Sequence, residues 1–357
     1  MALLSISLTG AIQRYFKRAW MDLPQRSFKT PLANSEFLDK AVIPKNRGQN
    51  AQFRVFDHLT IETNGTDDSP KTYSENAEPS SANQLSAAVF EVSFEMIAAY
   101  SELGNVLMAT DPVDLMTKNK EELAVLVRRV THQLTNDRCV KPITANVLNT
   151  SNSPSPLPAP FKTVYAGTVG DFGSLTGDSV LSMSDFKKCR SLLRNGGAPG
   201  VRGDLYLAVI DEAVKDQLLE DPKFEDAAKR HEDMTQEAFG RGKLMSWQGM
   251  LWSVQDDPYR CASPEAGGAL TTRSNSGAVH VAHVLGQGAM GYVDFGGAKT
   301  LQRRTLMPTF KVQDISKTGT GPSIGFRIPY QSIVKNRNRG LNVAGMTRYS
   351  DSIEDIA

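Results

Sequence analysis

The sequence predicts an α+β fold, and three observations carry that prediction. Two runs of alternating apolar and polar residues, 51–62 and 88–96, surround a polar stretch without periodicity. One long amphipathic helix, about residues 112–137, follows a clear start signal. Beyond it, short helical and strand-like runs come in irregular order, with no regular βαβ repetition.

Residues 1–44 read as an N-terminal arm. Within it, Ile12, Phe16 and Trp20 share one face of a short helix, away from Arg14, Lys17 and Arg18. Docking of that face on protein is the expected use, ahead of a membrane surface. Residues 45–97 read as a hairpin. Ala51, Phe53, Val55, Leu59 and Ile61 alternate with polar neighbours, and Ala88, Phe90, Val92, Phe94 and Met96 repeat the pattern. The polar tip between them, NGTDDSPKTYSENAEPSSANQ, is unusually long for a compact domain. An arm of this shape buries little within its own subunit and is expected to find its partner on a neighbour.

Residues 98–149 carry the helix. Asp111 suits the N-cap, Pro112 the first helical position and Asp114 the first turn. Met116, Leu123, Val127, Val130 and Leu134 form one apolar stripe. TSNSPSPLPAP (150–160) is a stiff Pro/Ser linker. In 150–310 a helix is expected near 183–194 after Ser182 or Ser184, a buried strand at 206–210 and a helix capped by Asp211. A further helix is expected near 223–238, with strands near 243–255, 279–285 and 291–295. Residues 311–357 return to strand-like patterns.

Net charge is +1, which excludes a global field aimed at nucleic acid or membrane. The charge is nevertheless uneven. Lys/Arg outnumber Asp/Glu eight to three in 1–50 and ten to four in 299–357, whereas 204–257 holds six against thirteen. Such opposite patches suit self-association, and solvated faces are the plain alternative. The three cysteines, Cys139, Cys189 and Cys261, form no CxxC pair and read as reduced thiols. The apolar start lacks preceding cations and a cleavage site, so no signal peptide is expected. No apolar run approaches the roughly 20 residues that cross a bilayer.

Two glycine-rich segments carry patterns that resemble nucleotide-binding loops. Gly286-Gln287-Gly288-Ala289-Met290-Gly291 is a literal GxGxxG after a strand-like run. A dinucleotide site needs its third glycine to open a helix, but Gly291 opens the strand-like YVDFGG. LLRNGGAPGVRGDLYLAVIDEAV (192–214) reads helix, glycine loop, strand, whereas phosphate loops run strand, loop, helix. Arg202-Gly203-Asp204 also stands where a Walker lysine is needed. Gly196, Gly197, Pro199 and Gly200 therefore read as a structural turn. No HExxH or GxSxG occurs, His280 and His283 fall on opposite faces of a strand, and His132, beside the helix stripe, reads as a packed or solvated residue ahead of a ligand. Trp247 and Trp252, read on one strand, fall on opposite faces, against a stacking platform. No catalytic residue, cofactor or metal is assigned.

The segments 192–214 and AHVLGQGAMGYVDFGG (282–297) resemble major capsid proteins of tailed bacteriophages, most closely the N-four-type podovirus group. The resemblance implies the Hong Kong 97-type fold: N-terminal arm (1–44), E-loop hairpin (45–97), peripheral domain with spine helix (98–149), axial domain (150–310) and return strands (311–357). It implies a shell of hexamers and pentamers around a double-stranded DNA genome, assembled in the host cytoplasm. It also implies scaffolding, portal and decoration partners, with a separate scaffolding protein expected because the arm is short. Arg14, Lys17, Arg18, Arg128 and Arg129 are candidate inner-surface contacts to DNA, with ion pairs between or within subunits as the alternative. A cellular encapsulin-like compartment or a nucleotide-binding enzyme are the other readings.

Overall fold

The computed structural model describes residues 31–33, 38–42, 50–56, 87–93, 95–102, 112–141, 146–149, 159–167, 169–222, 224–225, 245–261, 273, 277–294, 311–313 and 323–348. In chain order the first strands are β1 (Asp39–Val42), β2 (Asn50–Phe56), β3 (Ala87–Ser93) and β4 (Glu95–Glu102). Helix α1 (Pro112–Val140), β5 (Asn146–Asn149), β6 (Lys162–Tyr165), α2 (Met183–Asn195), β7 (Tyr206–Asp211) and α3 (Glu212–Leu219) follow. Then come β8 (Met245–Trp247), β9 (Met250–Gln255), β10 (Tyr259–Cys261), β11 (Val279–Leu285) and β12 (Met290–Asp294). The last are β13 (Lys311–Gln313), β14 (Ser323–Tyr330), β15 (Ser332–Val334) and β16 (Gly340–Met346).

The apolar run of β7 becomes a central strand because both its faces are covered, and all six residues are buried. Its sheet has the order β6-β16-β11-β7-β9-β8, with β10 beside the first half of β11. On one face Ala208 and Ile210 pack with Met183, Phe186, Cys189 and Leu193 of α2 and with Val214 and Leu218 of α3. On the other, Leu207 and Val209 meet Cys139 and Val140 of α1, Leu32, Phe161 and Leu175. Both short helices start where their residues demand. The Ser182 amide and hydroxyl donate to Asp185 at 3.0 and 2.7 Å, and Asp211 accepts from the Val214 amide at 2.8 Å.

Three smaller sheets surround this core. β2 and β3 pair antiparallel from Asn50↔Ser93 to Phe56↔Ala87, with β5 on the far side of β3. Ala51, Phe53 and Val55 point inward onto Val293 and Ile333, while Gln52 and Arg54 are exposed. The alternation therefore registers the hairpin base against β12 and β15. Residues 57–86, including the polar tip, lie outside the described residues, as does most of the expected helix at 223–238.

Four expectations change. The run 88–96 is two strands: Ala88, Phe90 and Val92 stay with the hairpin, whereas Met96 belongs to β4, which pairs with β14. The return segment also divides. β14 joins β4, but β16 enters the central sheet between β6 and β11. The run 243–255 is a tight hairpin, because Gln248 and Gly249 both take positive φ (53° and 72°). Trp247 and Trp252 consequently share one side, both at T-shaped contacts with Phe224 (centroids 5.1 and 5.4 Å). A two-residue turn, absent from the one-strand reading, reverses the face.

The fourth concerns α1. At 29 residues it is about 44 Å long. Of the expected stripe, Val130 and Leu134 are only half-buried, and the side chains of Met116, Leu123 and Val127 lie outside the described set. The side turned to the core near its C-terminus is His132, Thr135, Asn136, Cys139 and Val140. Those positions lie across the helix from the stripe. Polar groups reach the core there because the facing β9–β10 turn offers them partners.

Candidate functional site

Two places concentrate the side chains singled out above: the glycine-rich end of the central sheet and the polar junction beneath α1. At the first, α2 ends at Asn195 and the Gly196 amide returns to Leu192 O at 2.9 Å. Gly196 keeps an ordinary φ of −77°, while Gly197 (68°) and Gly203 (61°) take the left-handed region. Gly200 is a close approach: a Cβ there would lie 2.3 Å from Gly203 O. Pro199 contributes its carbonyl, which accepts from the Gln287 amide at 2.9 Å. The two glycine-rich segments thus meet as neighbouring turns. Gly286 donates to Arg339 O at 2.7 Å, and Arg339 donates to Gln287 O at 3.2 Å.

Neither segment has phosphate-loop geometry. The first leads into β7, a strand. In the second, Gly291 lies in β12, not at a helix start, and a Cβ on it would press within 2.4 Å of the Phe53 ring. Its smallness lets the hairpin base dock. The absence of a following helix removes the N-terminal amides that a pyrophosphate requires.

The junction is built from α1 and the β9–β10 turn. His132 Nε2 lies 3.0 Å from Gln255 Oε1, and Asn136 donates to Gln255 Oε1 and Asp257 O, both at 3.1 Å. Asp257 accepts Arg129 through both carboxylate oxygens (2.8 and 3.1 Å) and Gln133 at 2.7 Å. Thr135 meets the Tyr330 hydroxyl at 2.7 Å, and Arg273 pairs with Asp137 at 3.2 Å. Deeper, His283 Nδ1 lies 2.9 Å from Asn342 Oδ1, and Asn342 donates to Cys139 O. His132 Nδ1, Asn136 Oδ1, Gln255 Nε2 and His283 Nε2 are buried without a protein hydrogen-bond partner. Burial lowers His132 to a pKa of about 3 and His283 to about 4, so both imidazoles are neutral at pH 7.

The same desolvation removes nucleophiles. It pushes the Cys189 and Cys261 thiols up to about 12 and that of Cys139 higher still. His280 Nδ1 lies 2.5 Å from Asp211 Oδ2, a pairing that resembles a catalytic dyad. Asp211 is also the N-cap of α3, which gives the pair a structural task. His280 and His283 do face opposite sides of β11, toward Asp211 and Asn342 respectively. Among the described residues, no group of three or more His, Cys, Asp or Glu side chains is placed to hold a metal, and no helix is long and apolar enough to cross a membrane.

Of the basic residues singled out in the sequence, Arg14, Lys17 and Arg18 and the side chain of Arg128 lie outside the described set. Arg129 is bound to Asp257, the ion-pair alternative. Sequence reasoning missed Gln255, Asp257, His283 and Asn342 as a group. They come from three strands and a turn, and no local spacing links them.

No family model matches the chain, and no curated protein matches it in sequence. Solved structures do match its shape. The capsid of Ralstonia phage GP4 aligns over 92% of this chain and 94% of its own, with a TM-score of 0.59 at 12% identity. The acidic stable capsid structure of Helicobacter pylori bacteriophage KHP30 covers 91% and 92%, with a TM-score of 0.53 at 10% identity. The capsid asymmetric unit of cyanophage Pam1 covers 86% and 87%, with 0.52 at 11%. At this identity the likeness is one of fold. The chain has the α+β, Hong Kong 97-type fold of tailed-phage capsid proteins.

Proposed function

We propose that the chain is a structural subunit of an icosahedral bacteriophage capsid. In this reading it assembles into hexamers and pentamers that enclose a double-stranded DNA genome, and it has no catalytic role. The observation that carries the reading is the extent of the fold likeness, about nine-tenths of both chains for the GP4 capsid. The hairpin base supports it. β2 and β3 are seated on β12 and β15 while their connecting segment runs on for thirty residues, 57–86.

In this reading residues 1–44 serve as the arm and 45–97 as the E-loop, and α1 with the β4–β14 sheet forms the peripheral part. The axial part is built on the central sheet, with β16 joining it. Scaffolding, portal and decoration proteins are the proposed partners, together with non-specific phosphate contacts from basic residues such as Arg14, Lys17 and Arg18. The site of assembly is the host cytoplasm and the final location the virion.

The test is expression of the full chain, alone and with the scaffolding protein of its own genome, followed by imaging. Closed shells of uniform diameter are expected, and nucleic acid as cargo separates a phage head from a protein-filled compartment. A chain that stays monomeric under both conditions overturns the reading.

A further inference from the structure

The polar junction between α1 and the central sheet holds four side chains at 0% exposure, His132, Asn136, Gln255 and His283, and each carries one polar atom without a protein partner. We infer that the junction is a binding site for internal water, whose molecules donate to His132 Nδ1 and to His283 Nε2. The inference stands on the hydrogen bonds of the junction and is independent of the shell reading.

The bonds that are made fix the character of the atoms left over. Asn136 Nδ2 lies 3.1 Å from both Gln255 Oε1 and Asp257 O. Asp257 O is a backbone carbonyl and can only accept, so Asn136 turns its nitrogen to this side and Gln255 meets it with oxygen. His132 Nε2, 3.0 Å from that same oxygen, then carries the ring hydrogen, because a bare nitrogen would set two lone pairs against each other. Asn136 Nδ2 also lies 3.3 Å from this nitrogen, but both its hydrogens are already given to oxygens. A neutral imidazole has one N–H, so His132 Nδ1 is a bare acceptor. His283 follows the same logic. Asn342 donates to Cys139 O and Phe161 O at 3.1 and 3.4 Å, which turns its oxygen to His283 Nδ1, 2.9 Å away. His283 Nδ1 therefore carries the hydrogen and Nε2 is bare. The two histidines are opposite tautomers, each with a buried lone pair.

Asn136 Oδ1 is a third acceptor, and Gln255 Nε2 is the one donor among the four atoms. A guest therefore has to supply hydrogens and be able to accept one. Water does both, and a buried water typically makes about three hydrogen bonds to such groups. The two histidines belong to one region of the junction. His132 and Asn136 stand on α1, His283 is tied to the Cys139 carbonyl of α1 through Asn342, and a charge on either imidazole would oppose a charge on the other. A cation could also take imidazole lone pairs, but the carboxylate of the junction is committed. Asp257 accepts Arg129 through both oxygens and Gln133 as well, which leaves a buried cation without a counter-charge there. An apolar guest would leave all four atoms unsatisfied.

The experiment uses the full, unmodified chain, as free subunit or as shell. Its structure is determined at a resolution that shows single waters, in ordinary buffer and again after dialysis against EDTA. Isolated density is expected about 2.7–3.2 Å from His132 Nδ1 and from His283 Nε2, within reach of a second polar atom and unchanged by EDTA. Density that leaves with EDTA overturns the inference and assigns the site to a cation. A protein atom bonded to either bare nitrogen, or a junction without density at the two rings, overturns it as well. Selective 15N-histidine spectra at pH 7 are the second readout, with the two signals assigned by their loss in His132→Gln and His283→Gln. The hydrogen is expected on Nε2 of His132 and on Nδ1 of His283. The opposite tautomer at either ring makes the buried nitrogen a donor and overturns the inference.

Discussion

At Gly200 the backbone leaves no room for a side chain. A Cβ would sit 2.3 Å from Gly203 O and 2.8 Å from Leu205 N, both main-chain atoms that cannot rotate away. Gly200→Ala is therefore expected to lower stability by about 1–3 kcal/mol, read as a lower urea midpoint. Gly197→Val forces a β-branched residue to a φ of 68° and should cause misfolding or failed assembly. Gly196→Ala, at a φ of −77°, should change stability by less than about 1 kcal/mol. Equal effects at all three positions would refute this division of roles. The sequence marked the turn through its glycine density. It did not show which glycines were needed for φ and which for space, because that depends on where the chain folds back. Gly203, in the left-handed region, was not among the turn residues first singled out.

His132 and His283 give the residue scale a pH dependence. Both are held neutral by burial, at about 3 and about 4. Asp257 favours the charged form of His132, whereas His283 and Arg273 oppose it. The unfolded chain binds protons at these imidazoles below about pH 6.5, and the folded chain does not until nearer pH 4. Their contribution is therefore intact above pH 6.5 and is lost as pH falls, by up to about 1.4 kcal/mol per pH unit for each histidine. His132→Gln should flatten the slope of unfolding free energy between pH 6.5 and pH 4 by about that amount. An unchanged slope would show that His132 titrates normally in the folded state.

At the scale of elements, polar contacts from Arg129, His132, Gln133 and Asn136 tie the C-terminal half of α1 to the β9–β10 turn. Asp257, 6% exposed, accepts two α1 side chains. Asp257→Ala should cost about 1–3 kcal/mol, since Gln133 and Arg129 lose their acceptor. Arg129→Ala should cost about 1 kcal/mol or less, because its side chain is 48% exposed. A double-mutant cycle should find the two changes coupled, and strict additivity would count against the pair. This element also shows what pattern reading reaches. Pro112 at the helix start, Asp211 as a cap and the continuous run of β7 were legible, because each depends on neighbours in sequence. The buried side of α1 was not, because the partners of His132 and Asn136, Gln255 and Asp257, arrive from more than a hundred positions away. Likewise, Gln-Gly at 248–249 is weaker than the usual Asn-Gly hairpin signal, and the two-strand reading was missed.

At the scale of the whole molecule, the hairpin base is part of the packed structure, and residues 60–84 are expected to be dispensable for folding. Phe56 and Ala87 face each other across the β2–β3 ladder, so a short Gly-Ser turn in place of residues 60–84 can close it. This deletion is expected to leave thermal stability within a few degrees of the unmodified chain and to abolish particle formation. Particles of normal size from the shortened chain would show that the tip has no part in assembly. The strand runs of the hairpin base and of the central sheet were legible as local patterns. The path of the return segment was not, because strand-like runs at 323–330 and 340–346 look alike yet join different sheets.

That path bears on how the protein is made. β6 has one ladder neighbour in the central sheet, β16, and α2 packs against the same strand. Ribosomes deliver β6, α2, β7 and β11 well before β16, so the sheet waits, incomplete, for a segment at 340–346. Nascent chains arrested before Gly340 should remain open to protease, and chains released beyond Met346 should become resistant. On the shell-subunit reading proposed above, this order of synthesis would act as a checkpoint: a copy terminated before Gly340 lacks the strand that joins β6 to β11 and is expected to be degraded before it can join a shell.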